Sequence, residues 1–211
     1  MTWRDWIRTV EVAPVLVPGP PDTVASQVDA LVRAGCRIFH LHVRWDLAEF
    51  ATARLVSPLI RHYDGVLELQ IEGPLDAAIC SDVLAAGGSS VTFQLESWVD
   101  PEAAIAVARS AGLQVGIAFD RSTNLPEAAA WAAKADLVRC PGGPLIDQLR
   151  DVRLLSQVLP PGVAIQVGGG INHENARDLY DAGARVFLVR SAIFGREDLP
   201  RSYRRLVQAF A

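Results

Sequence analysis

Two histidines and an arginine alternate along Ile38-Phe39-His40-Leu41-His42-Val43-Arg44-Trp45-Asp46. Imidazoles exchange protons near neutral pH and bind divalent metals, while a guanidinium grips carboxylate or phosphate. In a β-strand, His40, His42 and Arg44 share one face; Leu41, Val43 and Trp45 share the other. Glu68 and Gln70 alternate likewise in Val66–Ile71, and Gln94 and Glu96 in Ser90–Glu96. Two histidines and one carboxylate, His40, His42 and Glu68, suffice as three ligands for Zn²⁺, Fe²⁺ or Mn²⁺ with open positions. The same three residues also suit a hydrogen-bonded His–Glu cluster without metal, because interior charges demand a partner of one kind or the other.

The flanking elements decide which way that polar face points. An apolar run, Val10–Val17, ends in Pro18-Gly19-Pro20-Pro21-Asp22, and helical spacing follows from Thr23 to Ala34. The alternation then repeats. Helices are expected over Leu47–His62 (with Pro58 in its middle), from Leu75 to Ala86, and over Pro101–Ala111, Pro126–Lys134, Asn172–Ala182 and Leu199–Phe210, with another ending near Val158. Strands are expected over Val66–Ile71, Ser90–Glu96, Leu113–Phe119, Asp136–Cys140, Val163–Val167 and Arg185–Val189. Eight strand–helix units in 211 residues predict an α/β fold, a (β/α)8 TIM barrel forming one domain over residues 1–211, ahead of an open doubly wound sheet. Barrel strands are buried on both faces, so His40, His42 and Arg44 point into the barrel toward its catalytic C-terminal mouth. The other inward positions are Gln70, Gln94 and Glu96, with Asp120 and Arg139 at later strand ends. Arginines there suit an anionic substrate; alternatively Arg44 or Arg139 pairs with Glu68, Glu72 or Glu96 in a structural ion network. His42, Glu68, Glu96 and Asp120 are the candidate acid/base groups.

Gly168-Gly169-Gly170-Ile171-Asn172 follows a strand and opens a helix, and Val189-Arg190-Ser191-Ala192-Ile193 does so one unit later. Glycines without Cβ atoms and helix N-termini make an anion cradle of the kind barrels place after strands seven and eight. Gly168, Gly169, Gly170, Arg190 and Ser191 are therefore candidate phosphate-binding residues, with Arg44, Gln70, Gln94 and Arg139 toward the rest of the substrate.

Composition narrows the partners. A net charge of -4 without basic runs argues against nucleic acid and anionic membranes, and no apolar run approaches a membrane span. A cytoplasmic protein without a nucleotide cofactor is expected. Cys36 and Cys80 read as small core residues, while Cys140 at a strand end is a candidate for the site. Lys134, the sole lysine, lies in an alanine-rich helical stretch, which argues against Schiff-base chemistry. His62 and His173 read as surface positions; Trp3, Trp6, Trp98 and Trp131 read as packing or subunit contacts.

The end of the chain, Gly168-Gly169-Gly170-Ile171-Asn172, Asp181-Ala182-Gly183-Ala184 and Ser191-Ala192-Ile193-Phe194-Gly195, resembles that of ribulose-phosphate 3-epimerases. Similar passages are Val12-Ala13-Pro14-Val15-Leu16, Arg33-Ala34-Gly35-Cys36 through Phe39-His40-Leu41-His42-Val43, Leu67 to Pro74, and Ser90 to Glu96, so the likeness runs from Val12 to Gly195. The resemblance implies a ribulose-phosphate-binding barrel, a homo-oligomer and a small anionic substrate. It also implies a divalent metal held by two histidines and two aspartates, the aspartates moving protons on opposite faces of an enediolate. By position His40 matches the first metal histidine and Glu68 the second. His42 stands for the base aspartate, Gly168 for the acid aspartate, Val15 for a serine and Arg190 for a loop glycine. Both acid/base carboxylates are thus replaced. Three activities follow from this pattern: a divergent isomerase or epimerase working through an enediolate, a metal-dependent aldolase or decarboxylase of the same barrel group, or a non-catalytic binding or partner subunit.

Overall fold

The computed structural model describes residues 9–44, 47–97, 100–195 and 198–210. Eight parallel strands close into a barrel in sequence order, the first pairing with the last. In chain order the elements are β1 (Glu11–Leu16), α1 (Pro21–Arg33), β2 (Ile38–Val43), α2 (Leu47–His62), β3 (Val66–Ile71), α3 (Ala77–Ala85), β4 (Ser90–Gln94) and α4 (Pro101–Ser110). The second half continues with β5 (Gln114–Ala118), α5 (Leu125–Ala132), β6 (Leu137–Arg139), α6 (Leu145–Val158), β7 (Ala164–Gly168), α7 (Ala176–Ala182), β8 (Val186–Val189), α8 (Ser191–Phe194) and α9 (Leu199–Gln208). The fold is a (β/α)8 TIM barrel. Among the described residues no helix is long and apolar enough to cross a membrane.

Local chemistry accounts for the element ends. Side chains of Asp76, Asp100, Asn124 and Asp198 accept from backbone N–H groups in the first turns of α3, α4, α5 and α9. Prolines sit at the start of α1, α4, α5 and α9, where a missing N–H goes unnoticed. Several boundaries differ from the expected ones by a few residues, and two of them bear on the site. The strand expected over Ser90–Glu96 stops at Gln94, and Leu95–Ser97 turns as a 3₁₀ helix. The helix expected from Asn172 starts at Ala176, because Asn172 and Asn175 instead bond neighbouring backbone N–H groups and shape the loop. Trp3, Trp6, Trp45 and Trp98 lie outside the described residues. Trp131 is half-buried, with Lys134 Nζ 4.6 Å from its ring centroid.

Strand alternation sorts the interior into storeys. Leu41 and Val43 of β2 join the large apolar cluster between barrel and helices. On the inner side, Ala13, Ile38, Val66, Leu137, Ala164, Val186 and Leu188 form a separate apolar floor. Above it lies a buried polar storey of His40, Glu68, Thr92 and Gln166. His42, Gln70, Gln94 and Gly168 come two residues further along the same strands, and with Arg139, which ends β6, and Arg190, which follows β8, they line the C-terminal mouth. Register fixes the neighbours: His40 pairs with Glu68 and His42 with Gln70.

Candidate active site

The polar storey is built around Glu68. Its carboxylate is fully buried and accepts from His40 Nδ1 at 3.0 Å, Gln166 Nε2 at 2.7 Å and Thr92 Oγ1 at 2.5 Å. Thr92 has room to reach it because its register partner on β5 is Gly116, where any Cβ would overlap the Thr92 hydroxyl. Burial alone would raise the Glu68 pKa. The Coulombic pull of His40 and hydrogen bonds from His40, Thr92 and Gln166 outweigh it and bring the pKa to about 2. An ionised carboxylate only accepts, so His40 Nδ1 donates to it; His40 Nε2 is buried without a partner.

His42 stands one storey higher, its ring edge-on to that of His40 with centroids 4.8 Å apart. Its Nδ1 lies 3.1 Å from Glu72 Oε1, and its Nε2 lies 3.4 Å from Arg139 Nη1. A guanidinium has only donors, so the contact with Arg139 requires a lone pair on Nε2 and a proton on Nδ1. That is the neutral ring. Burial, then the positive charges of His40 and Arg139, lower the His42 pKa to about 4, against an upward pull from Glu72. Glu72 is in turn held through Oε2 by Arg44 Nε at 3.1 Å. Arg44, Glu72, His42 and Arg139 therefore form a chain across the mouth. Arg139 itself is half-buried, and burial lowers its pKa.

The three-ligand metal set expected from His40, His42 and Glu68 does not form. Among the described residues no three His, Cys, Asp or Glu side chains are grouped so as to hold a metal ion. The physical reason lies in the partners. Both Glu68 oxygens already accept hydrogen bonds, and the lone pair of His42 faces a guanidinium. A cation near that guanidinium meets a repulsion of about 4 kcal/mol per unit charge at ~4 Å and an effective dielectric of ~20. This donor set does not fit the divalent ion that the family resemblance implies.

Two cavities open at the mouth, of about 450 and 360 Å³, and His42 and Arg139 line both. The larger one reaches Gly168, Gly169, Gly170, Arg190 and Ser191, with Arg44 at its rim. Gly169 and Gly170 adopt φ of 84° and 78°, a region that side chains disfavour. Their carbonyls are drawn away by side-chain amides: Gly169 O accepts from Gln148 Nε2 at 3.2 Å and Gly170 O from Asn175 Nδ2 at 3.0 Å. Across a trans peptide the N–H points opposite to the C=O, so the N–H groups of Gly170 and Ile171 turn from those amides. Both residues line the larger cavity.

The smaller cavity is lined by Gln70, Glu72, Gln94, Asp120 and Cys140 among others. Burial pushes the Cys140 thiol up, so it is no ready thiolate. Asp120 accepts from Ser122 N at 2.6 Å and Ser122 Oγ at 2.5 Å, bonds that lower its pKa and shape the loop after β5. Glu96, expected to shuttle protons, lines neither cavity; it accepts from Gln94 Nε2 at 2.5 Å, Asp120 N at 2.8 Å and the Thr123 hydroxyl. The ion network foreseen for Arg44 exists, with Glu72 as its partner, whereas Glu68 pairs with His40. Glu72 was foreseen only as an ion-network partner, and its contact with His42 is what sequence reasoning missed. Its place one residue beyond β3, at the mouth, was the available signal.

A family model described as the ribulose-phosphate 3 epimerase family matches residues 11–194. The chain is 24% identical over 216 residues to the ribulose-phosphate 3-epimerase of Aquifex aeolicus (strain VF5), covering 92% of this chain and 94% of that one. Solved structures give the same architecture at lower identity. A 3-hexulose-6-phosphate synthase from Salmonella typhimurium has a TM-score of 0.75 at 18% identity, covering 95% of this chain and 98% of the other. An orotidine 5'-phosphate decarboxylase from Pyrococcus horikoshii OT3 has a TM-score of 0.76 at 13% identity, covering 94% and 98%.

Proposed function

This chain belongs to the ribulose-phosphate 3-epimerase family, and from that premise we propose that it is a phosphosugar-processing enzyme using His42 as a single base. The substrate's phosphate sits against Gly169, Gly170 and Ser191, and its carbonyl end reaches His42. His42 Nε2 removes a proton from the carbon beside the carbonyl, and the enediolate is protonated again by the same ring. Glu72 accepts the Nδ1–H, which fixes the tautomer and steadies the imidazolium that forms. The observation that carries this reading is the His42 ring lining both cavities, with Nδ1 held by Glu72 and Nε2 facing Arg139 Nη1 at 3.4 Å.

Inversion at carbon needs a second proton donor on the opposite face. The mouth positions of β6, β7 and β8 supply Arg139, Gly168 and Arg190, which include neither a carboxylate nor an imidazole. The reading is therefore isomerisation or proton exchange returned to one face. The same observation favours a second reading, carbon–carbon cleavage through an enolate, which also needs one base.

Incubating the protein with ribulose 5-phosphate in D₂O, followed by NMR, tests both. Deuterium entering beside the carbonyl supports enolisation; release of a smaller carbonyl fragment supports the lyase. Prompt conversion to xylulose 5-phosphate would overturn the single-base scheme. Absence of exchange and of cleavage would overturn the enzymatic reading of this site.

A further inference from the structure

Arg139 is a charge at the mouth to which the single-base scheme gives no contact with substrate. It closes β6, is half-buried, and touches His42 through Nη1, while the nearby carboxylates Glu68 and Glu72 are engaged by other residues. One contact with a ring nitrogen leaves the rest of its five donor hydrogens for other acceptors, and the guanidinium borders both cavities. A half-buried cation with idle donors is costly unless an anion comes to meet it.

We propose that Arg139 is the catalytic cation of this barrel, binding the substrate's carbonyl oxygen and stabilising the enediolate oxyanion without a metal ion. The inference rests on the enolisation reading above. His42 Nε2 takes the proton from the carbon beside the carbonyl, and the C–H electron pair becomes the carbon–carbon double bond. The carbonyl π pair moves onto oxygen, where Arg139 donates to it; the proton returns from the His42 imidazolium, and no further reactant is needed. The 3.4 Å between Nε2 and Nη1 suits this division of labour, since the proton and the carbonyl oxygen of one substrate are separated by a single carbon–carbon bond. Donors placed on a developing oxyanion accelerate such steps by roughly 10²–10³ each.

The test uses the full chain before and after dialysis against EDTA, with metal content measured in both. Deuterium exchange into ribulose 5-phosphate gives one readout. Calorimetric binding of phosphoglycolohydroxamate, a phosphorylated enediolate mimic, gives the other. Exchange should survive chelation within about twofold. Arg139→Met should lower kcat roughly 10²–10³-fold with a smaller change in KM, and weaken the hydroxamate about as much. Melting curves establish that the variant is folded, and added guanidinium ion should partly restore exchange to Arg139→Ala. Loss of exchange on chelation with recovery on adding Zn²⁺ or Mn²⁺ overturns this inference and leaves the enolisation reading standing. Full activity in Arg139→Met overturns it too. No exchange by the untreated protein, with hydroxamate bound no better than inorganic phosphate, overturns both.

Discussion

Arg139 Nη1 lies 3.4 Å from His42 Nε2, although 97 residues separate the two in the chain. A permanent cation facing the open nitrogen keeps that imidazole neutral and ready to accept a proton. Burial, then the charges of His40 and Arg139, make the ring a weak base, its pKa of about 4 lying well below the ordinary histidine range.

Replacing the base should remove turnover and leave the fold. His42→Gln is expected to lower proton exchange by roughly 10²–10⁴-fold with little change in the melting temperature at neutral pH. In the wild type, kcat/KM should hold down to about pH 5 and decline through pH 4 as the ring charges. The His42 ring signals should titrate over the same range by NMR. A decline centred near pH 6.5 would show that burial, His40 and Arg139 do not depress this ring.

Glu72→Gln should lower the rate and move the His42 titration to still lower pH. Glu72 is the partner that pulls the ring's pKa upward, and an amide in its place would supply a dipole without the charge. Measuring the NMR titration and kcat together separates this positioning effect from simple misfolding.

Acid stability should fall in two overlapping stages. Folded His42 takes up its proton near pH 4 and unfolded His42 near 6.5, so protons bind preferentially to the unfolded chain between those values and stability declines as pH falls. Folded Glu68 titrates near 2 against 4.5 unfolded, which continues the decline from about 4.5 downward. Chemical denaturation across pH 2–7 should show the continuous slope. His42→Gln should flatten its upper half only. Glu68→Ala, which strands His40 in the interior, should lower stability by about 3–5 kcal/mol at neutral pH.

The anion cradle is tested without turnover. Inorganic phosphate at about 100 times its Kd should stabilise the protein by roughly 2.7 kcal/mol. Gly170→Ala meets no atom within 4 Å but forces a side chain into a φ of 78°. It should therefore lower stability by about 1–2 kcal/mol and weaken phosphate binding as the loop shifts. An unchanged response to phosphate would place the anion elsewhere.

The alternation around His40 and His42 is enough to put both rings inside the barrel, because strand parity and burial on two faces follow from sequence alone. Glu68 is legible for the same reason, through the matching parity of β3. Height along the barrel axis is not. Register between strands sets Glu68 level with His40, and Thr92 and Gln166 then engage the carboxylate that residue types alone offer as a metal ligand. Arg139 is legible as an inward charge, but its contact with His42 depends on how the closed sheet brings β6 toward β2. The partners of Glu96 and Asp120 are hidden because backbone N–H groups compete for carboxylates in the loop after β5, a rivalry that residue types do not reveal.

The storeys of the barrel separate what can change from what must stay. His42, Arg139, Gly168 and Arg190 stand at the mouth, while the apolar floor and the Glu68 cluster below them carry the interior packing. A lineage could therefore exchange side chains at the mouth without reopening the question of whether the chain folds. The buried cluster acts as a bulkhead. Innovation above it is decoupled from integrity below, and a laboratory search for new activities in this scaffold should confine its libraries to that upper rim.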